Sequence, residues 1–306
     1  MKKLKHLTLI VFILCFYSFS SAQVKLEYVF RTGDTYEWTQ TAKQIIKQNI
    51  MGTDQIVENN INSTLILKVV SINSTGASLA CEYTNLSMSM KMPGGAPPQS
   101  LESSGDTSKL ENKVMRALLN KPFTIAITKM GVIEKIEGEE NLWSGFASLG
   151  LSEQQKSTMK ATLEQMLNEG SLKSSFAMLF VTYPDKKIKI GDSWKTRNDL
   201  GSTLPLTVDN TWVLTDATKI AGDGVFTTTQ KEKIVSLPNG IKAKFDLSGT
   251  QKTLTTYDPK TGWASEIVVN STINGKMFLL AGGMIPQDME VPMEILSESK
   301  SIVIKK

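Results

Sequence analysis

The chain has 306 residues, 34 lysines and arginines against 30 aspartates and glutamates, and a single histidine, His6. Only Arg31, Arg116 and Arg197 are arginines, and no basic run is interleaved with aromatics, which excludes nucleic acid as a partner. A lone imidazole at the N-terminal end also excludes Ser-His-Asp and Cys-His catalytic units.

Residues 1–22 open with Lys2, Lys3 and Lys5, continue as an apolar run over 7–19 and close on Ser20, Ser21 and Ala22. That is the order of a secretory signal peptide. Cleavage is expected between Ala22 and Gln23, with the periplasm or the cell exterior as destination. The apolar run is shorter than the roughly 20 residues of a membrane-spanning helix, so no transmembrane anchor is expected after cleavage. Cys15 follows Leu14, where a lipoprotein signal requires a small residue, and reads as apolar filler. Cleavage removes His6 and three lysines and leaves 31 basic against 30 acidic residues, a near-neutral protein. Cys81 becomes the one thiol, without an internal disulfide partner. It shares a strand face with Leu79 and Tyr83 and reads as buried and inert.

The first half has the period of a β-meander. Val24, Leu26, Tyr28 and Phe30 alternate with Lys25, Glu27 and Val29, and Tyr36 and Trp38 continue on a second strand. Met51-Gly52-Thr53-Asp54 reads as a hairpin turn. Ile61, Ser63, Leu65, Leu67 and Val69 share the next face, and Asn73 to Gly76 is another turn. A strand over 79–92 leads into a Pro/Gly surface loop over 93–107.

The period then lengthens. Ser108 and Glu111 form a capping box for a helix carrying Leu110, Val114 and Leu118. A strand with Phe123, Ile125 and Ile127 turns at Met130-Gly131. A second helix carries Leu142, Phe146 and Leu149. A third starts at Ser152 with Gln155 completing the box, carries Met159, Leu163, Met166 and Leu167, and stops at Gly170. A short fourth spans 171–180. From 187 the pattern is β again: Val208, Asn210, Trp212 and Leu214 share a face, as do Ile267, Val269, Ser271 and Ile273. Turns are expected at Asp223-Gly224, Asn239-Gly240, Asp258 to Gly262 and Asn274-Gly275, with a last strand through Ile302 and Ile304.

Strands, then helices, then strands argue for antiparallel sheet. The expected fold is mainly β (α+β): a large curved antiparallel sheet or half-barrel with a central helical segment packed on it. One domain covers 23–306, as a β half at 23–138, a helical insert at 139–183 and a β half at 184–306. Gly33-Asp34-Thr35-Tyr36 recurs as Gly191-Asp192-Ser193-Trp194, and each half has a later glycine turn, at Gly131 and at Gly262. Two related halves would explain both. Asp34 and Asp192 then read as turn aspartates or as a paired carboxylate site.

The leader, the run from Tyr28 through Gly33-Asp34 to Tyr36, the Met51-Gly52 hairpin and the run from Tyr257-Asp258 to Thr261-Gly262 together resemble an uncharacterised family of exported bacterial proteins, a domain of unknown function. The resemblance covers most of the chain after residue 22 and implies no catalytic residues. The sheet-with-helices pattern is also similar, at the level of fold, to the half-barrel of periplasmic lipoprotein carriers.

No calcium loop or phosphate-binding glycine loop occurs, and zinc would have only carboxylates and one cysteine. No cofactor, no metal and no enzyme activity are expected. A carboxylate-only hydrolase remains chemically open, although Glu139-Glu140 reads as a helix start. One feature stands out: Leu86, Met88, Met90 and Met92 alternate with Ser87, Ser89 and Lys91, a strand face made largely of flexible thioethers. It reads either as core beneath the helices or as the wall of a groove for a lipid-like ligand. Trp38, Trp143, Trp194, Trp212 and Trp263 are core or further lining, with Trp38 and Trp212 taken as candidate ligand contacts. The leading expectation is an exported cell-envelope protein that binds an apolar ligand without catalysis. The alternative is a structural or interaction module with a filled interior.

Overall fold

The computed structural model describes residues 23–95, 98–200, 204–237, 240–282 and 285–306, without the side chains of 95, 158, 161, 162, 165 and 166. The expected leader with Ala22, the Asn239 half of one hairpin signal and the Met166 side chain lie outside the described residues.

Three long strands, β1 (Thr35–Ile50), β2 (Thr53–Ile72) and β3 (Gly76–Lys91), follow one another as antiparallel hairpins. The first turn is Met51-Gly52, both at positive φ (51° and 81°), which matches the right-handed twist of the flanking strands. Asn73 shapes the second turn by accepting from the Thr75 and Gly76 amides through Oδ1. The expected 93–107 loop is partly strand: β4 (Gln99–Glu102) folds back on β3, with Leu101 opposite Met88.

Helix α1 (Leu110–Ala117) buries Val114 and Met115, but the expected Ser108 cap does not form. Asp106 Oδ1 takes the Ser108 amide instead, and the helix begins one residue later, from an uncapped Lys109. Strands β5 (Phe123–Thr128) and β6 (Ile133–Glu137) complete this side of the sheet. The expected second helix is a 3-10 helix, Glu139–Leu149, burying Leu142 and Phe146. Helix α2 (Glu153–Leu167) has the full Ser152/Gln155 capping box. It ends before Gly170: Asn168 is extended (ψ 164°) and its side chain caps the next helix, α3 (Glu169–Leu179), so Gly170 lies in the first turn of α3. An amide that caps a new helix outcompetes a glycine stop.

The second half is β7 (Ser193–Asp199), β8 (Leu206–Asp216), β9 (Lys219–Thr228), β10 (Val235–Ser236), β11 (Lys242–Tyr257), β12 (Ala264–Leu279) and β13 (Met289–Lys305). Two expected turns are strand interiors. Asp223-Gly224 lies inside β9 and Asn274-Gly275 inside β12. Glycine is needed there for close approach: a Cβ on Gly275 would stand 2.1 Å from the Asp246 carbonyl oxygen. The turn at Asp258 to Gly262 is present. The Lys260 amide and Thr261 hydroxyl donate to Asp258 and hold its carboxyl below the usual range.

The result is a mainly β protein built on one open antiparallel sheet, ordered β6-β5-β3-β2-β1-β13-β12-β11-β9-β8-β7, with β4 and β10 off this path. Helix α3 lies between the two end strands. Lys173 Nζ donates to the Glu134 carbonyl on β6, Ser174 Oγ to the Asp199 carbonyl on β7, and Asn198 Nδ2 to the Ala177 carbonyl. Residues 24–30 alternate as expected, and Leu26, Tyr28 and Phe30 are buried, but they form no sheet strand. They run as an arm beside a second arm over 180–190. Val24 bridges Ile188, the Tyr28 amide donates to the Lys129 carbonyl, Val29 to Thr261, and Tyr183 to Met130. The two arms thus tie the Gly131 turn to the Gly262 turn.

The repeated Gly-Asp motif has one geometry in both places. The Gly33 amide donates to Val69, the Asp34 amide to Arg31, and the Val69 amide to Asp34. The Gly191 amide donates to Leu214, the Asp192 amide to Lys189, and the Leu214 amide to Asp192. The glycines have φ of 91° and 92°.

Candidate functional site

The inward side of the sheet follows from alternation and burial. On β3, Leu79, Cys81 and Tyr83 point inward; a bulge at Thr84 shifts the register, pairing Thr64 with Asn85 but Leu65 with Tyr83. After the bulge Leu86, Met88 and Met90 take over the same face, so two sequence stripes of opposite parity become one wall. Charge is confined to the other face, where cross-strand pairs such as Lys47–Glu294 (2.7 Å) and Lys276–Glu290 (2.6 Å) lie exposed. The inward positions of β1, β2, β3, β9, β11 and β12, of β8 up to Leu214 and of β13 up to Val303 carry no charged residue.

This uncharged face is filled at two levels. One apolar cluster sits beneath the helices and arms and includes Trp38, Tyr83, Phe176 and Trp263. A second, with Phe226, Phe245, Met277 and Val291, fills the other end of β8 to β13. Within the first level, between sheet and helices, is a cavity of about 300 Å³. Its floor is Ala42 of β1, Ile61 of β2, Met88 of β3, Val269 of β12 and Ser299 of β13. Its roof is Leu163 and Leu167 of α2 with Phe176 and Leu179 of α3, and Leu86, Tyr83 and Met115 close one side. Met159, Leu163 and Leu167 of α2 are partly buried and pack against the first cluster, and Leu163 and Leu167 also line this space. No charged residue is among the lining.

The expected site residues separate here. Leu86 and Met88 line the cavity. Met90 is one inward step further along β3, opposite Asn59, and Met92 lies beyond the strand end and is 40% exposed. Trp38 is 2% exposed and packs edge-on against Phe180 at 5.3 Å, within the arm cluster. Trp212 stacks on Trp194 at 6.5 Å, and its indole N–H donates to Thr196 Oγ1. Both tryptophans belong to the first apolar cluster and neither is among the cavity lining: Trp38 lies two inward steps from Ala42 along β1, and Trp212 is on β8, outside the five floor strands. Sequence reasoning missed Ala42, Ile61, Val269 and Ser299 as a common floor. The available signal was the small and polar residues inside apolar alternations, Ser63 on β2 and Ser271 on β12.

The carboxylates stay local. Asp34 pairs with Lys305 Nζ at 2.6 Å and takes a long hydrogen bond from Tyr36 OH, whereas Asp192 accepts the Lys189 amide within its own turn. Burial pushes the Cys81 thiol above its ordinary range, which suppresses the thiolate. Among the described residues no group of three or more His, Cys, Asp or Glu side chains is placed to hold a metal. No helix of the described residues is long and apolar enough to cross a membrane.

A model of a family of unknown function, DUF6263, matches residues 74–264. The chain belongs to DUF6263. The DUF6263 match takes in the helices, the second Gly-Asp motif and both glycine turns. No curated protein matches the chain. Among solved structures, a lipovitellin chain described for its lipid–protein interactions aligns at TM-score 0.49 and 10% identity, covering 90% of this chain. The alignment spans 25% of the lipovitellin chain. An outer membrane channel from Pseudomonas putida F1 aligns at TM-score 0.27 and 9% identity, covering 91% of this chain and 98% of its own. OccK7 of Pseudomonas aeruginosa aligns at 0.24 and 8%, covering 89% and 100%. At these scores the likeness assigns no ligand and no role to this DUF6263 member.

Proposed function

We propose that this protein is an exported, non-catalytic component of the cell envelope that holds an apolar, lipid-like ligand between its sheet and its helices. The observation that carries the reading is the 300 Å³ cavity, walled mainly by aliphatic, thioether and aromatic side chains, with Gln40 and four serines as its polar lining and no charge. Its volume is at the small end of the range of ligand pockets. Methionines at Met88, Met115 and Met178 give the wall side chains that adapt to ligands of varied shape. The engagement of Asp34 and Asp192 in separate turns supports a role without catalysis.

Binding of the neutral fluorophore N-phenyl-1-naphthylamine tests the reading. The wild type is expected to bind it saturably. Met88→Lys, which puts an ammonium on the cavity floor, is expected to weaken binding at least tenfold while circular dichroism stays that of the wild type. Absence of saturable binding by the wild type would favour an interaction module with a filled interior. Export has its own test: mass spectrometry of the protein from its native host is expected to find an N-terminus at Gln23. A lipid-modified Cys15 would contradict cleavage after Ala22.

A further inference from the structure

We propose that the cavity and a belt of uncharged polar side chains beside it form one site for a single-chain amphiphile with a neutral, hydrogen-bond-donating head. The proposal rests on the apolar-ligand reading and adds the head group and the chain number.

The belt lies one inward step along the strands from the cavity floor, about 7 Å at the rise of a β-strand. Where the floor has Val269, Ser299, Ala42 and Ile61, the next inward row has Ser271, Ser297, Gln44 and Asn59, each opposite the next. The row continues through Gln251 and Gly224 to Asn210. It separates the two apolar clusters, and it consists of carboxamides, hydroxyls and a glycine.

Its amides are unevenly satisfied. Asn59 donates from Nδ2 to Gln44 Oε1 (3.3 Å), and Gln251 from Nε2 to Thr253 Oγ1 (3.2 Å). The remaining oxygens, Asn59 Oδ1, Gln251 Oε1 and Asn210 Oδ1, are buried and accept from no protein donor. Asn210 is 2% and Gln251 6% exposed. Gly224 lets the two side chains pack closely, since a Cβ there would stand 2.6 Å from Asn210 Oδ1 and 3.2 Å from Gln251 Cβ. Buried acceptors without donors are costly; Asn59 Oδ1, on a floor strand one inward step from Ile61, is matched by a ligand head that brings O–H or N–H groups. A phosphate, carboxylate or quaternary ammonium head would instead be buried with no counter-charge on the inward face. At roughly 30 Å³ for each non-hydrogen group, a water's share of liquid volume, the cavity takes on the order of ten such groups. That matches one alkyl chain of about ten carbons.

Three ten-carbon probes that differ only in the head decide the matter: decyl glucoside, decanoate and decyltrimethylammonium. Each is titrated below its micelle concentration against bound N-phenyl-1-naphthylamine. Decyl glucoside is expected to bind at least tenfold more tightly than either ion. Asn59→Leu is expected to bring decyl glucoside down to the affinity of the ions and to leave the fluorophore unaffected; Ser297→Ala does the same to a smaller extent and serves if Asn59→Leu does not fold. Equal affinity for the three heads, or preference for decanoate, overturns the belt as a head site while fluorophore binding preserves the cavity reading. If neither the fluorophore nor any probe binds, both fall.

Discussion

Gly262→Ala is expected to lower the unfolding free energy by about 3–5 kcal/mol, through two effects that add at one Cα. The residue has φ +72°, where an L side chain is strained, and the new Cβ would stand 2.1 Å from the Glu27 carbonyl oxygen and 2.7 Å from its carbon. The obstruction is backbone, so no rotamer relieves it. The Glu27 arm must move away, and the Val29–Thr261 hydrogen bond (2.8 Å) and the Tyr183 OH bond to the Gly262 carbonyl (2.6 Å) go with it. Gly33→Ala and Gly191→Ala separate the two effects. They have φ of 91° and 92°, but a Cβ at either meets nothing within 4 Å. Their cost is expected to be conformational alone, about 1–2 kcal/mol. Urea titrations of the three variants check this. An equal loss in all three would mean that the arm is not seated against the Gly262 turn.

Trp263→Ala has the second large effect, about 3–5 kcal/mol. Trp263 is 3% exposed and stacks on Tyr36 with centroids 3.8 Å apart and planes within 16°. Tyr28, Phe30 and Phe180 meet it edge-on at 5.6, 6.1 and 5.9 Å. One side chain thereby joins β1, both arms and the β11–β12 turn, and the alanine variant leaves a void that four rings from three segments cannot all collapse into. Its indole N–H has no acceptor, so the loss is one of packing rather than hydrogen bonding. Trp263→Phe is expected to recover more than half of the loss. A midpoint shift in urea worth less than 1 kcal/mol for the alanine variant would place the stability of this end elsewhere.

Local periodicity made much of this fold legible before any coordinates. The alternations on β2, β8 and β12, the Met51-Gly52 turn and the Ser152/Gln155 box read directly, because each rests on neighbours in sequence. Two kinds of error share a cause. Asp223-Gly224 and Asn274-Gly275 look like turns when the chain is read alone, and become strand interiors because another strand passes too close for a Cβ. Val24 to Phe30 alternates like a strand yet pairs mainly with turns, because a second arm and two glycine loops occupy its edges. The site was legible in part for the same reason. The thioether face of β3 was visible, but its bulge at Thr84 was not, and the floor of the cavity is assembled from five strands whose registers only the assembled sheet defines. Trp38 and Trp212 attracted attention by size, and their partners, Phe180 and Trp194, are distant in sequence or in another strand.

The central claim is that an apolar chain enters the space between sheet and helices, and methionine methyl NMR reads it there directly. The chain has 14 methionines. Met88, Met115 and Met178 line the cavity, Met277 belongs to the second core, and Met51 is 75% exposed at a hairpin tip. With ¹³C-methyl-labelled methionine, titration with 1-decanol is expected to shift Met88, Met115 and Met178 along one saturable curve while Met277 and Met51 stay in place. Shifts confined to Met51 and other exposed methyls, or no saturable shift at Met88, would contradict the claim.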